Sequence, residues 1–178
     1  PRDADIDYAL CDADQHYYEA PDCLTRHLEK KYSSRVKWIQ MEGRTSLLIN
    51  AKQLTVIPNP TYNPVGAPGS LETYFRAENR DMITMQPIQP EYQNRDERVK
   101  RLDDQGVQLA WMIPSLGLGI EEMLQEDVES GMAVFTAYNR WLEDDWGYDR
   151  DGRIMTGPMI SLMDERLAEA ELDRVMDV

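Results

Sequence analysis

The sequence predicts an α/β fold built around a parallel sheet. Short apolar runs alternate with amphipathic helical patterns in the order strand, helix, insertion, helix, strand, helix, strand, helix. This order is typical of parallel strands that are joined by crossover helices. At 178 residues with 42% hydrophobic content, the chain is also long enough to bury one core.

The first strand and the first helix are predicted near the N-terminus. Residues 8–13 (YALCDA) form an apolar-rich run that turns polar at DQH, as expected for a buried strand with polar groups at its C-terminal end. Pro21 suits the start of a helix, and Leu24, Leu28 and Tyr32 recur at a helical spacing. We therefore expect a helix to follow the first strand directly.

An antiparallel insertion is predicted after this helix, at about 35–94. The segments VKWIQM and RTSLLIN are rich in strand-forming residues and meet at Gly43, and LTVI from Leu54 is a candidate third strand. The run from Pro58 to Gly69 carries four prolines and two glycines. It therefore predicts a loop rather than a regular element.

The second half of the chain alternates helices and strands. A helix is predicted from Asp96 to Gly106, where glycine relieves a left-handed cap, and VQLAWMIPS follows as a buried strand. Asp127 can cap a longer helix with apolar spacings of three and four residues. The run RIMTGPMISL is a third strand, and Asp164 starts a final helix.

The charge balance argues against a polyanionic partner. The chain holds 33 acidic and 19 basic residues, a formal net charge of -14, so we expect no contact with nucleic acid or an anionic membrane surface. No apolar run approaches membrane-spanning length. Cys11 and Cys23 follow no leader-like segment, which favours free thiols in a reducing cytoplasm. A small molecule is the expected partner, and a homo-oligomer remains open.

Candidate metal ligands lie at the end of the first strand. Asp14 and His16 are two residues apart, so both side chains leave the same face of a strand and can converge on one ion. A carboxylate and an imidazole suit zinc, manganese or iron. Glu19 could be a further ligand or the carboxylate that orients His16. The alternative is a polar strand end without a metal.

The remaining candidates are weaker. His27, the only other histidine, has charged neighbours and is expected to be solvated. Since a catalytic metal usually has three or more protein ligands, a site made by one strand is incomplete. Tyr17, Asn139 and Trp141 are candidate substrate contacts, and the alternative for the latter two is a packed helix end.

Four segments together resemble the opening portion of the amidohydrolase-related family of metal-dependent hydrolases. They are DADQHYYEAPDCLTRHL, IPNPTYNPVGAPGSLETYF, RLDDQGVQLAWMIPSLGLGIEE and AYNRWLEDDWGYDRDGRIMTGPMISLMD. The resemblance implies an eight-stranded β/α barrel that carries a divalent metal, with Asp14 and His16 matching the ligand pair of the first strand. The implied fold is a partial (β/α)8 TIM-type barrel of about three βα units, with residues 1–178 as its N-terminal part.

The resemblance also implies an activity for the parent protein. We expect a zinc-dependent or manganese-dependent hydrolase, in which metal-activated water attacks a small organic substrate. A metal-dependent decarboxylase of the same superfamily is the alternative, and a non-catalytic acidic interaction module is the alternative from another class. The catalytic groups are expected beyond Val178, so the chain is expected to be a fragment that is inactive alone.

Overall fold

The fold alternates strands and helices around three small sheets. The computed structural model describes residues 8–41, 43–76 and 83–177. Within these ranges the strands are β1 (Cys11–His16), β2 (Val36–Met41), β3 (Arg44–Ile49), β4 (Lys52–Gln53), β5 (Val65–Gly66), β6 (Met85–Gln86), β7 (Leu109–Ile113) and β8 (Ile154–Met155). The α-helices are α1 (Ser70–Phe75), α2 (Arg95–Gln105), α3 (Glu121–Leu124), α4 (Val128–Asp145) and α5 (Glu165–Met176).

The parallel sheet has the strand order β1-β7-β8, which confirms the predicted α/β class. In its register Cys11 lies opposite Leu109 and His16 lies opposite Ile113. A bulge interrupts β1 between Asp12 and Gln15. Among the described strands, β1 and β8 each pair on one side only, so this part of the chain does not form a closed barrel.

The inserted segment forms an antiparallel sheet of order β2-β3-β4, as predicted. Strands β2 and β3 pair along their whole length, from Val36 opposite Ile49 to Met41 opposite Arg44. Strands β5 and β6 make a second, two-stranded antiparallel sheet in and beyond the proline-rich loop. The predicted antiparallel strands are therefore confirmed, although the third strand ends at Gln53, before the run LTVI.

Side-chain caps begin the three long helices. Asn94, Asp127 and Asp164 each accept a hydrogen bond from the backbone N–H three residues later, at 3.1, 3.3 and 3.0 Å. Such a contact satisfies one of the free N–H groups of the first helical turn. Helix α2 ends at Gly106, whose φ of 73° lies in the left-handed region, as predicted. None of the described helices is both long and apolar enough to cross a membrane.

One hydrophobic cluster joins the parallel sheet, the insertion and the helices. Leu102 of α2, Met112 of β7 and Leu142 of α4 are almost completely buried. Leu47 and Ile49 of β3 belong to the same cluster, so the insertion packs on the common core. Burial of these apolar side chains is the main stabilising contribution to the fold.

The predicted first helix is wrong. Residues 21–27 form consecutive turns, and only Lys30–Tyr32 form a short 3-10 helix. The bonds that hold the turns mostly join residues three apart, such as Thr25 N–H to the Asp22 carbonyl at 2.9 Å. Cys23 and Leu24 are both buried. Of the predicted apolar stripe only Leu24 is buried, while Leu28 and Tyr32 are partly exposed, so the segment does not present the continuous buried face of an amphipathic helix.

Two strand boundaries also differ from the prediction. Strand β1 begins at Cys11, three residues later than the predicted run, so Asp14 and His16 lie within the strand. Strand β8 contains only Ile154 and Met155, because the run that follows contains Gly157 and Pro158, both unfavourable in a strand.

Candidate metal site

The candidate ligands lie at the carboxyl end of the parallel sheet. Asp14 and His16 are both exposed on β1. The loop that follows β7 reaches the same edge, where Ser115 Oγ lies 3.4 Å from His16 Nδ1. Functional sites of parallel α/β folds are found at this edge, since the carboxyl ends of the strands meet there. The structure therefore places the predicted pair where ligand binding is expected.

The backbone that leaves β1 is held by side chains from other elements. The carbonyl groups of residues 16, 17 and 19 each accept a hydrogen bond from such a side chain. The donors are Arg98 Nη2 to the His16 carbonyl at 3.1 Å, Ser115 Oγ to the Tyr17 carbonyl at 2.9 Å, and Gln93 Nε2 to the Glu19 carbonyl at 3.1 Å. The Tyr18 N–H donates to the Tyr92 carbonyl at 2.8 Å. The position of His16 is thus fixed by its surroundings.

Glu19 is a buried carboxylate that holds the loop after β7. Its Oε1 accepts the backbone N–H groups of Ser115, Leu116 and Gly117 at 3.0, 2.8 and 3.1 Å. The Tyr138 hydroxyl donates to the same oxygen at 3.0 Å. Burial raises the pKa of Glu19, while these hydrogen bonds act in the opposite direction.

The second oxygen of Glu19 differs from the first. Oε2 is buried and has no hydrogen-bond partner, whereas Oε1 has four donors. A carboxylate oxygen with four donors has no lone pair left for a metal ion. That Glu19 binds the metal stays a prediction, and its contacts favour the alternative that it orients the site.

The three predicted substrate contacts lie in the core. Tyr17, Asn139 and Trp141 are each exposed by 1% or less. The Tyr17 ring packs 6.0 Å from Trp141, and burial raises the pKa of its hydroxyl. Asn139 exchanges two hydrogen bonds with the backbone of Met159, at 3.0 and 2.7 Å. In these contacts the three side chains stabilise the core, and their role in substrate binding stays a prediction.

His27 is separate from the candidate ligands, as expected. Its Nε2 lies 2.7 Å from Asp144 Oδ2 in a partly exposed ion pair. The proline-rich loop lies beside the segment that follows β1, where the Tyr62 ring stacks on the Tyr18 ring with centroids 4.3 Å apart. This contact places the loop against the backbone that follows His16.

A metal ion fits these donors only in part. The parts of the chain that the structure describes contain no group of three or more His, Cys, Asp and Glu side chains that could hold a metal. Asp14 and His16 offer a carboxylate and an imidazole, the right chemistry for two ligands of a zinc or manganese site. A complete catalytic site needs at least one further protein ligand.

The site also contains residues that the sequence did not reveal. Ser115, Gly117 and Tyr138 contact Glu19 or His16 from positions 96 to 119 residues away along the chain. Ser115 follows Pro114 at the predicted end of β7, and a small polar residue there was the available signal. No local pattern connects Tyr138 with Glu19.

The fold and its strand-end donors define the class as an α/β protein with polar side chains at the carboxyl end of a parallel sheet. A crystal structure of an amidohydrolase from Mycobacterium avium subsp. paratuberculosis K-10 is similar to this chain, with a TM-score of 0.90 and 40% sequence identity. The match covers 97% of this chain and 47% of the amidohydrolase, so the chain spans about half of that protein's length. No family model matches the chain, and no curated protein matches it. The likeness supports the predicted relationship to amidohydrolases.

Proposed function

We propose that this chain supplies the first strands of a (β/α)8 barrel in a metal-dependent hydrolase of the amidohydrolase type. Its similarity to an amidohydrolase extends over 97% of its residues and over 47% of that protein. On the central strand β7, Trp111 is 45% exposed while its neighbours Ala110 and Met112 are buried. Parallel strands are usually covered on both faces. The exposed face of β7 therefore favours a larger sheet that closes into a barrel and covers it.

Asp14 and His16 would hold one divalent ion, zinc first and manganese as the alternative. The bound ion would lower the pKa of a water molecule or polarise a substrate oxygen. The chain's own contribution is to fix the backbone of His16 and to present its imidazole at the carboxyl end of the sheet. The further ligands and the general base would come from the rest of the barrel.

One observation carries this proposal. A carboxylate and an imidazole lie two residues apart at the carboxyl end of the first parallel strand, in a chain that is 40% identical to an amidohydrolase. Neither finding is sufficient alone, because the spacing of Asp14 and His16 also occurs in strand ends without a metal. Together they support the assignment of Asp14 and His16 as ligands at this edge of the fold.

The proposal is tested by metal analysis of the full-length gene product. Mass spectrometry should find close to one zinc or manganese ion per protein, and His16→Ala and Asp14→Asn should each lose most of it. His27→Ala is the matched control, because the His27 ring is hydrogen-bonded to the exposed Asp144, which is not one of the candidate ligands. The proposal fails if the wild-type protein is metal-free or if His16→Ala binds metal as well as His27→Ala does.

A substrate panel then examines the reaction. Amides, lactones and aromatic carboxylic acids should be offered to the metal-loaded protein, and the products should be those of hydrolysis. Release of carbon dioxide without hydrolysis would replace the hydrolase with the decarboxylase. Turnover should be lost in His16→Ala and retained in His27→Ala.

A further inference from the structure

We propose that Ser115 is a positioning residue that holds His16 with its proton on Nδ1, which leaves Nε2 free to bind the metal. Glu19 is the buried anchor that holds Ser115 in place. This inference rests on the proposed function, because it concerns the nitrogen through which His16 would coordinate the ion. It assigns these two residues a task in the site beyond the ligand pair itself.

The direction of the hydrogen bonds determines the tautomer. Ser115 Oγ lies 2.9 Å from the Tyr17 carbonyl oxygen, which can only accept, so the hydroxyl proton points there. Ser115 Oγ is also 3.4 Å from His16 Nδ1, at the long end of hydrogen-bonding distance. Since the single hydroxyl proton is already used, Ser115 can only accept from His16. A neutral His16 that donates to Ser115 therefore carries its proton on Nδ1.

The remaining nitrogen has the chemistry of a ligand. A neutral imidazole with a proton on Nδ1 has its free lone pair on Nε2. Histidine ligands in metal sites usually donate their other N–H to a neighbouring acceptor, which fixes both the tautomer and the ring orientation. The hydroxyl of Ser115 fills that role here. His16 is exposed, so Nε2 is accessible from the edge of the sheet.

Glu19 fixes the acceptor. It binds three successive N–H groups, beginning with that of Ser115, from within the core. Glu19 is itself only 2% exposed and is held by the Tyr138 hydroxyl. Gly117 also lies close to Tyr138, since an added Cβ there would be only 3.2 Å from Cζ of the Tyr138 ring. Glu19 thus links the segment that follows β1 to the loop that follows β7.

The test is the tautomer of His16 in the metal-free full-length protein. Nitrogen NMR of the isotope-labelled protein, above about pH 7.5 where imidazole is neutral, distinguishes Nδ1–H from Nε2–H, and His16→Ala identifies the signals. We expect Nδ1–H in the wild type and a shift toward Nε2–H in Ser115→Ala. Ser115→Thr should keep the wild-type tautomer because it retains a hydroxyl. Ser130→Ala is the control. Ser130 also donates its hydroxyl proton to a backbone carbonyl, that of Asp127, but it makes no such contact with His16.

Zinc affinity provides a second measurement. Loss of an outer-shell partner typically weakens metal binding by about 10–100-fold, so Ser115→Ala should show such a loss and Ser115→Thr should not. Glu19→Ala, which removes the anchor, should change the His16 tautomer in the same direction as Ser115→Ala. If Glu19→Ala does not fold, the two Ser115 variants decide the inference.

The outcomes separate this inference from the proposed function. An unchanged tautomer in Ser115→Ala overturns the inference, whatever the zinc content of the protein. A wild type that binds neither zinc nor manganese, but whose Nδ1–H tautomer depends on Ser115, overturns the proposed function and supports the role of Ser115. A wild type with the proton on Nε2 also overturns the inference.

Discussion

The hydroxyl groups of Tyr17 and Tyr138 form a buried chain that ends on Glu19, and a double-mutant cycle can test it. Tyr138 Oη donates to Glu19 Oε1 at 3.0 Å. Its single proton is then used, so Tyr17 Oη, 2.9 Å away, must donate to Tyr138 Oη. Both tyrosines are completely buried, so bulk water cannot replace a lost partner.

The two single variants should have unequal costs. Tyr138→Phe removes a bond to a carboxylate, worth about 1.5 kcal/mol where other donors remain, and leaves the Tyr17 hydroxyl unpaired at a cost of about 1.5 kcal/mol. The free energy of unfolding should therefore fall by about 3 kcal/mol. Tyr17→Phe removes one neutral hydrogen bond and leaves no donor unpaired. It should cost about 1 kcal/mol.

The double variant distinguishes a connected chain from two separate contacts. With both hydroxyls removed, no donor is left unpaired. The bond between the two tyrosines disappears together with both of its partners, at little net cost, and the bond to Glu19 is lost as well. The expected cost is about 1.5 kcal/mol, against about 4 kcal/mol for the sum of the single variants. Tyr17→Phe should therefore stabilise a protein that already carries Tyr138→Phe.

Urea unfolding followed by tryptophan fluorescence is the assay, because Trp141 packs 5.4 Å from the Tyr138 ring. Tyr32→Phe combined with Tyr17→Phe is the control cycle, since Tyr32 pairs with Glu129 and shares no partner with Tyr17. That control should be additive. A double variant at Tyr17 and Tyr138 whose cost equals the sum of the single variants would refute the hydroxyl chain.

Two further predictions concern the helices. Gly106→Ala should lower the free energy of unfolding by about 1 kcal/mol. This cost comes from the left-handed conformation alone, because an added Cβ meets nothing within 4 Å. Thermal unfolding should show no such loss in Gly66→Ala, and equal effects of the two variants would contradict the role of Gly106 as the helix cap. Burial acts to raise the pKa of Glu171, but hydrogen bonds led by Arg174 outweigh it and lower the pKa below its ordinary value. The stability that Glu171 contributes should therefore be present above its ordinary pKa and be lost as the pH falls through the lowered value. Glu171→Gln should flatten this acid dependence in urea titrations, and an equal change in the exposed control Glu169→Gln would count against it.

Local chemistry explains why most helices could be predicted from the sequence. Asp127 and Asp164 cap α4 and α5, and Gly106 ends α2 in a left-handed conformation. These signals act within one helical turn, so they are visible in the sequence. The segment 21–32 has comparable local signals but forms turns, since tertiary packing can override a local helical spacing. Of its predicted stripe Leu24 is buried, but Leu28 and Tyr32 are only partly buried.

The candidate site was predictable only where it is local. Asp14 and His16 lie on one strand, and their spacing alone suggests that both could bind the same metal ion. Glu19 was placed beside them by proximity in sequence, but its partners come from residues 115–117 and from Tyr138. Such pairings depend on which strands become neighbours in the sheet, and single-sequence patterns do not contain that information.

Under the proposed function, the anchoring of β1 would order the candidate ligand His16 before a metal ion binds. The backbone from His16 to Glu19 makes hydrogen bonds to Arg98, Ser115, Gln93 and the Tyr92 carbonyl. A ligand held by its surroundings loses little conformational freedom when an ion binds, so more of the binding energy remains for affinity. If His16 were instead mobile, each further ligand would first have to order it. Under the proposed function, the buried Glu19 would help to fix His16 through Ser115, whose N–H it binds and whose hydroxyl lies beside the His16 ring.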